Sequence, residues 1–106
     1  MSSPAIPAVL LSVKPPHVER LMAGTKTVEL RRRRWRVPPG TVALVYASGT
    51  TRALVGSVVV GATEAGSPED IWHSHGLASE ITREEFDSYF AGAQEAIAIG
   101  IHSPHG

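Results

Sequence analysis

The chain has 106 residues, 42% of them hydrophobic and 19% charged, with ten Lys plus Arg against ten Asp plus Glu and no cysteine. A domain of this length buries about 60–70% of its unfolded surface without staples, and the composition lies well away from the signature of disorder. The lack of cysteine excludes disulfides and thiolate metal sites, and no run approaches the ~20 apolar residues of a membrane span.

Residues 1–7 are rich in Ser, Ala and Pro and read as a loose terminus. Ala8 to Lys14 is a short apolar run with no basic segment before it, so it reads as a buried strand and not as a secretory signal. Pro15 and Pro16 open a helix, Val18, Leu21 and Met22 make its inner face, and Gly24 stops it. A second strand is predicted from Lys26 towards Trp35, closed by the turn Val37-Pro38-Pro39-Gly40. Thr41 to Ser48 alternates as a third strand, and Gly49-Thr50-Thr51 turns into a fourth over Arg52 to Ala62.

Two helix starts follow. Ser67-Pro68-Glu69-Asp70 sets a capping serine, a first-turn proline and two carboxylates in favourable positions, and Ile71 and Trp72 anchor a short helix ending near Gly76. Thr82-Arg83-Glu84-Glu85 is a capping box, with Phe86, Tyr89 and Phe90 as the buried stripe behind it. The last strand, Glu95 to His102, puts Ile97, Ile99 and Ile101 on one face and Ala96, Ala98 and Gly100 on the other, leaving 103–106 as a second loose terminus. Strands this closely connected do not form repeated crossover units. The expected fold is α+β, a curled mixed sheet or small barrel with short helices at its margin, in one domain over 1–106.

The net charge of zero hides a segregation. Six of the basic residues lie between Lys26 and Arg36, and most acids follow Gly61. Lys14 stands just before a helix N-terminus, where a cation opposes the helix dipole; it either snorkels into water or helps to hold an anion. Glu29 and Arg31 share a strand face, as a surface ion pair or as a carboxylate that orients a cation beside Lys26. His73 and His75 are two apart on a predicted helix and do not share a face, and His102 and His105 lie in the tail, so no metal site is expected.

Gly24-Thr25-Lys26-Thr27-Val28-Glu29-Leu30-Arg31 resembles the G-x-K-x-x-E-x-R motif of the ASCH domain, a branch of the PUA-like superfamily. Leu11-Ser12-Val13-Lys14-Pro15, Tyr46-Ala47-Ser48, Ser67 to Trp72 and Ile81 to Phe86 also resemble small members, so the likeness spans nearly the whole chain. It implies a PUA-like pseudo-barrel of about five or six strands with two or three short helices. It also implies a cleft between the first helix and the barrel, associated with RNA or nucleotides. Lys26, Glu29 and Arg31 would line that cleft with Lys14 at its helix end, and Tyr46 and Ser48 would lie at the end of the neighbouring strand, the tyrosine to stack on a base and the serine to bind phosphate.

Three readings result. The first is an RNA- or nucleotide-binding module with a basic cleft, in which Arg32, Arg33, Arg34 and Arg36 track a single-stranded phosphate backbone. The second is a hydrolase acting on RNA or a modified nucleoside. Lys26, Tyr46 and Ser48 are its candidates for ribonuclease character; in the branch that hydrolyses acetylated cytidine, a threonine stands where this chain has Glu29. The third is a protein-interaction module, or homodimer, using Trp35 and Trp72. None calls for a cofactor or a membrane, and a cytoplasmic setting suits all three.

Overall fold

A computed structural model of the chain describes residues 8–106; the expected loose segment 1–7 lies outside the described residues. The elements in chain order are β1 (Ala8–Val13), α1 (Pro15–Ala23), β2 (Val28–Arg31), β3 (Val42–Ala47), β4 (Ala53–Gly66), α2 (Pro68–Ser79), α3 (Arg83–Tyr89) and β5 (Ala96–His105). The strands form one five-stranded sheet in the order β1-β3-β4-β5-β2. Only β1 and β3 run parallel, joined through α1 and β2; the other pairs are antiparallel. The fold is the expected α+β curled half-barrel, with five strands and three helices.

Register shifts between Val45 and Tyr46, and twice along the β4–β5 ladder, bend the sheet around its own interior. That interior is filled by Leu11, Val45, Val58, Val60 and Ile99, and closed at one end by Val18 and Leu21 of α1. A second cluster lies on the outer face of β2 and β5, where Ile71, Phe86 and Phe90 of the two later helices pack on Val28, Leu30, Ala96 and Ala98. The alternation of β5 explains the division. Its isoleucines fill the barrel, and its alanines leave room for helices to settle against the back of the sheet.

Four expectations change. Gly76 does not end α2: the helix runs to Ser79, and Glu80 supplies the left-handed cap at φ 57°. Gly76 is instead small because Trp72 folds over it, and a Cβ there would sit 2.9 Å from the indole ring. The second strand stops at Arg31, since its only ladder partner, β5, begins at Ala96 opposite that end. The arginines from Arg32 onward therefore lie in irregular backbone and not in the strand. Tyr89 is 41% exposed instead of buried. Finally, residues 103–105 belong to β5, with His105 opposite Ser57. Among the described residues no helix is long and apolar enough to cross a membrane.

Candidate functional site

Among the described residues the half-barrel has two free edges, β1 and β2, with no ladder between them. A side chain spans the gap: the Arg31 guanidinium donates to the Ser12 carbonyl oxygen on β1 at 3.2 Å. Beside this bridge opens a cleft of about 610 Å³, walled by the end of β1, the start of α1, the inner residues of β2 and one flank of α3. The site exists because the barrel does not close, and α3 roofs the opening.

Lys26, Glu29 and Arg31 form a chain of alternating charge at its base. Lys26 is 2% exposed and donates through Nζ to the Ser79 carbonyl oxygen at 2.5 Å. Glu29 is 9% exposed; its Oε1 lies 3.9 Å from Lys26 Nζ, and its Oε2 lies 3.0 Å from Arg31. The placement has a local cause. Gly24, at φ 83°, ends α1 in a left-handed turn, after which the amides of Thr25 and Lys26 both return to the Arg20 carbonyl. Thr27 N–H then reaches Ala78 O at 2.9 Å, so Lys26 arrives at the C-terminal end of α2, where carbonyls and helix dipole both favour a cation. Arg20 donates to Glu80 O at 2.8 Å at the same helix end.

Burial still leaves its mark. Desolvation pushes the Lys26 ammonium below its ordinary pKa, against the pull of Glu29. Desolvation likewise pushes the Glu29 carboxyl up, opposed by Arg31 and Lys26.

The remaining walls differ from a uniformly basic cleft. Lys14 stands at the mouth, but the helix behind it offers an anion little: Pro15 and Pro16 have no N–H, and His17 N–H bonds back to Lys14 O at 2.9 Å. Opposite lie Glu84 and Glu85 of α3. The capping hydroxyl of Thr82 accepts from Glu85 N–H at 3.1 Å, while the Glu85 carboxylate turns to His17, with Oε2 3.7 Å from Nε2. His17 Nδ1 is buried with no hydrogen-bond partner among the described residues. Burial, then Lys26, lower the His17 pKa below 6.5, partly offset by Glu85.

The structure thus brings Lys14, Lys26, Glu29 and Arg31 together in one cleft, and adds His17, Glu85 and Tyr89. Tyr46 and Ser48 stand outside that lining. Tyr46 sits beside Ser12 in the β1–β3 ladder, across from Leu54, and Ser48 binds Val13 O through both its N–H, at 2.9 Å, and its hydroxyl, at 3.2 Å. Of the arginine run, Arg34 pairs with both oxygens of Glu95, at 3.1 and 3.3 Å, and Arg32 reaches Ala91 O at 3.5 Å. Arg33 and Arg36 are exposed and make no such contact among the described residues. His75 pairs with Glu64 at 2.9 Å and His73 with Glu69 at 3.5 Å; no group of three His, Asp or Glu side chains converges among the described residues.

Sequence reasoning passed over His17, gave Glu85 to the cap and put Tyr89 in the core. Nothing local marks His17 or Tyr89, because the cleft joins them from elements far apart in the chain.

The model of the ASCH domain family matches residues 11–104. The chain belongs to the ASCH domain family. It is 25% identical over 93 residues to an ASCH domain-containing ribonuclease from Zymomonas mobilis subsp. mobilis, a match that covers 85% of this chain but only 61% of that relative's length. A shorter match, 32% over 56 residues, is to large ribosomal subunit protein uL22 of Ureaplasma parvum serovar 3, of which it covers 18%. In three dimensions this ASCH domain superimposes on the crystal structure of a tyrosine-to-phenylalanine mutant of the Zymomonas mobilis ASCH protein with a TM-score of 0.89, at 21% identity, covering 92% of this chain and 70% of the other.

Proposed function

We propose that the protein binds RNA or nucleotides and takes one nucleotide into the cleft between the β1 and β2 edges. The observation that carries this reading is the Lys26–Glu29–Arg31 chain. Charged groups taken out of water cost several kcal/mol each in desolvation, on the order of what an isolated pair recovers, so an all-charged floor is a poor way to stabilise a core. It is a good way to set fixed donors and one acceptor against the edge of a base. Membership of the ASCH family supports the same reading, as does the ribonuclease among its relatives, whose substrate is RNA.

The mixed charge of the walls fits a nucleoside better than a stretch of phosphodiester. Lys14 at the mouth is the group placed to meet a phosphate, with Arg32, Arg33 and Arg36 outside the cleft for any further backbone. If these four side chains neutralise phosphates, binding of a single strand weakens with salt at a log–log slope of about −3. Fluorescence anisotropy of labelled single-stranded RNA at several salt concentrations checks this. A slope near zero, or no binding of RNA or of any nucleoside monophosphate, overturns the reading.

A second reading, hydrolysis of RNA or a modified nucleoside, is favoured by one feature: His17 and Lys26 share the cleft, and both are pushed towards neutrality by burial. Groups whose charged forms are disfavoured by burial are candidates for acid–base chemistry. In the ribonuclease version the candidates Tyr46 and Ser48 lie outside the cleft lining, whereas Tyr89 and Ser88 lie within it. Incubation with labelled RNA and with acetylated cytidine tests this version. Turnover that disappears in folded Lys26→Met and His17→Gln proteins supports it; absence of product leaves the binding reading alone.

A further inference from the structure

The cleft continues. Ser12, Arg31 and Tyr89 line it and also line a second, shallower groove of about 430 Å³ that follows the open seam away from α1. The floor of this groove is apolar and open, with Leu10 61% exposed, and along its side stand Arg32 and Arg33, ending at the half-buried indole of Trp35. Tyr89 occupies the junction. Its ring is 41% exposed and packs against Phe90 in a T-shaped contact, with centroids 4.8 Å apart at 74°.

The two grooves differ in charge. The cleft balances Lys14, Lys26 and Arg31 against Glu29, Glu84 and Glu85, whereas the seam groove is lined by four arginines and no acid. Arg34 is neutralised by Glu95, but Arg33 has no partner among the described residues, and Arg32 has only a carbonyl. An apolar floor, an exposed aromatic ring and unpaired guanidinium groups along one side make the combination that binds single strands, by stacking bases and tracking phosphates.

We infer that the β1–β2 seam is a binding track for single-stranded RNA, on which the nucleotide next to the one in the cleft stacks on Tyr89 while Arg32 and Arg33 hold its phosphates. The inference rests on the proposed nucleotide cleft and extends it by naming the seam as the path of the strand and Tyr89 as the residue that joins the two subsites. An acidic peptide would satisfy the arginines but has no use for the stacking face.

The test compares a mononucleotide with a tetranucleotide of the same base, using calorimetry on the intact chain. The expected result is tetranucleotide affinity at least tenfold higher. Arg33→Ala and Arg32→Ala remove most of that gain, each lowering the salt slope for the tetranucleotide by about 0.7. Tyr89→Ala costs the tetranucleotide about tenfold, within the range measured for loss of one base–aromatic stack, and Tyr89→Phe restores it. These positions are exposed, and a thermal melt of each variant checks that it folds.

The inference is overturned if length adds nothing, if the gain survives both arginine variants, or if Tyr89→Ala is silent while polyglutamate displaces the RNA. Failure of the cleft reading looks different. In that case the mononucleotide does not bind, but the tetranucleotide still does, through Arg33 and Tyr89.

Discussion

Lys26 serves two ends at once. Its ammonium donates to the Ser79 carbonyl at the end of α2 and balances Glu29, so Lys26→Ala leaves the buried Glu29 carboxylate with Arg31 alone and exposes the end of a helix to an empty space. The expected loss is about 3–5 kcal/mol, read from urea denaturation. Lys26→Met combined with Glu29→Gln removes both charges and keeps the volume, and is expected to recover more than half of that loss. His17 gives a pH signature. Its folded-state pKa lies below 6.5, so as the pH falls from 6.5 the unfolded chain takes up the proton first. Stability from this group is complete above 6.5 and is lost as the pH falls through the depressed value. The groups around it are Lys26, Glu85, Arg20 and Lys14. Glu29, whose pKa is raised, acts in the opposite sense: its contribution is present below 4.5 and is lost as the pH rises through the raised value. Thermal melts between pH 7.5 and 5.5 should therefore show a fall for the native chain that is smaller in His17→Gln.

Two short helices illustrate how local chemistry is read and where reading stops. The capping signals are local: Ser67 accepts from Asp70 N–H at 3.2 Å and Thr82 from Glu85 N–H at 3.1 Å, as their sequences require. Thr82→Ala is expected to cost about 1 kcal/mol. Because α3 carries the wall with Glu85 and Tyr89, the same variant should weaken ligand binding with no change at a contacting side chain. Gly76 was not legible in this way. A glycine after a helical stretch reads as a stop, and only the packed structure shows it under the Trp72 ring. Gly76→Ala sets a helix-propensity gain of about 1 kcal/mol against an overpacking cost of about 1–3 kcal/mol. The indole is pinned by Phe86, with ring centroids 5.1 Å apart, and by Arg83, 5.3 Å from its centroid, so the cost wins and the variant melts lower. The end of β2 was equally hidden. No turn signal appears in the sequence before Val37, but a strand lasts only as long as its partner, and that partner lies at the far end of the chain.

For the whole molecule, the sequence contained the fold because periodicity, turns and caps each agree with the α+β half-barrel. The motif residues Lys26, Glu29 and Arg31 could be found for the same reason. The cleft could not be drawn from them. Its shape depends on two sheet edges that never pair and on a helix from the second half of the chain, and its charge balance depends on Glu84 and Glu85, which look locally like a helix start. The arginine run, too, changes meaning once Arg31 is seen bridging the seam and Arg34 held by Glu95. Only part of that run is available to a ligand.

The pairing of β2 with β5 has a consequence for synthesis. Val28 lies opposite Gly100, and the Ile101 amide donates to Thr27 O at 2.8 Å, so the strand that carries Glu29 and Arg31 has no ladder until β5 has left the ribosome. At about 5–20 residues per second, Lys26 and the arginines wait several seconds in an unpaired segment while the β3–β4 hairpin can already form. A product cut short before β5 would keep every motif residue and yet have no cleft to put them in.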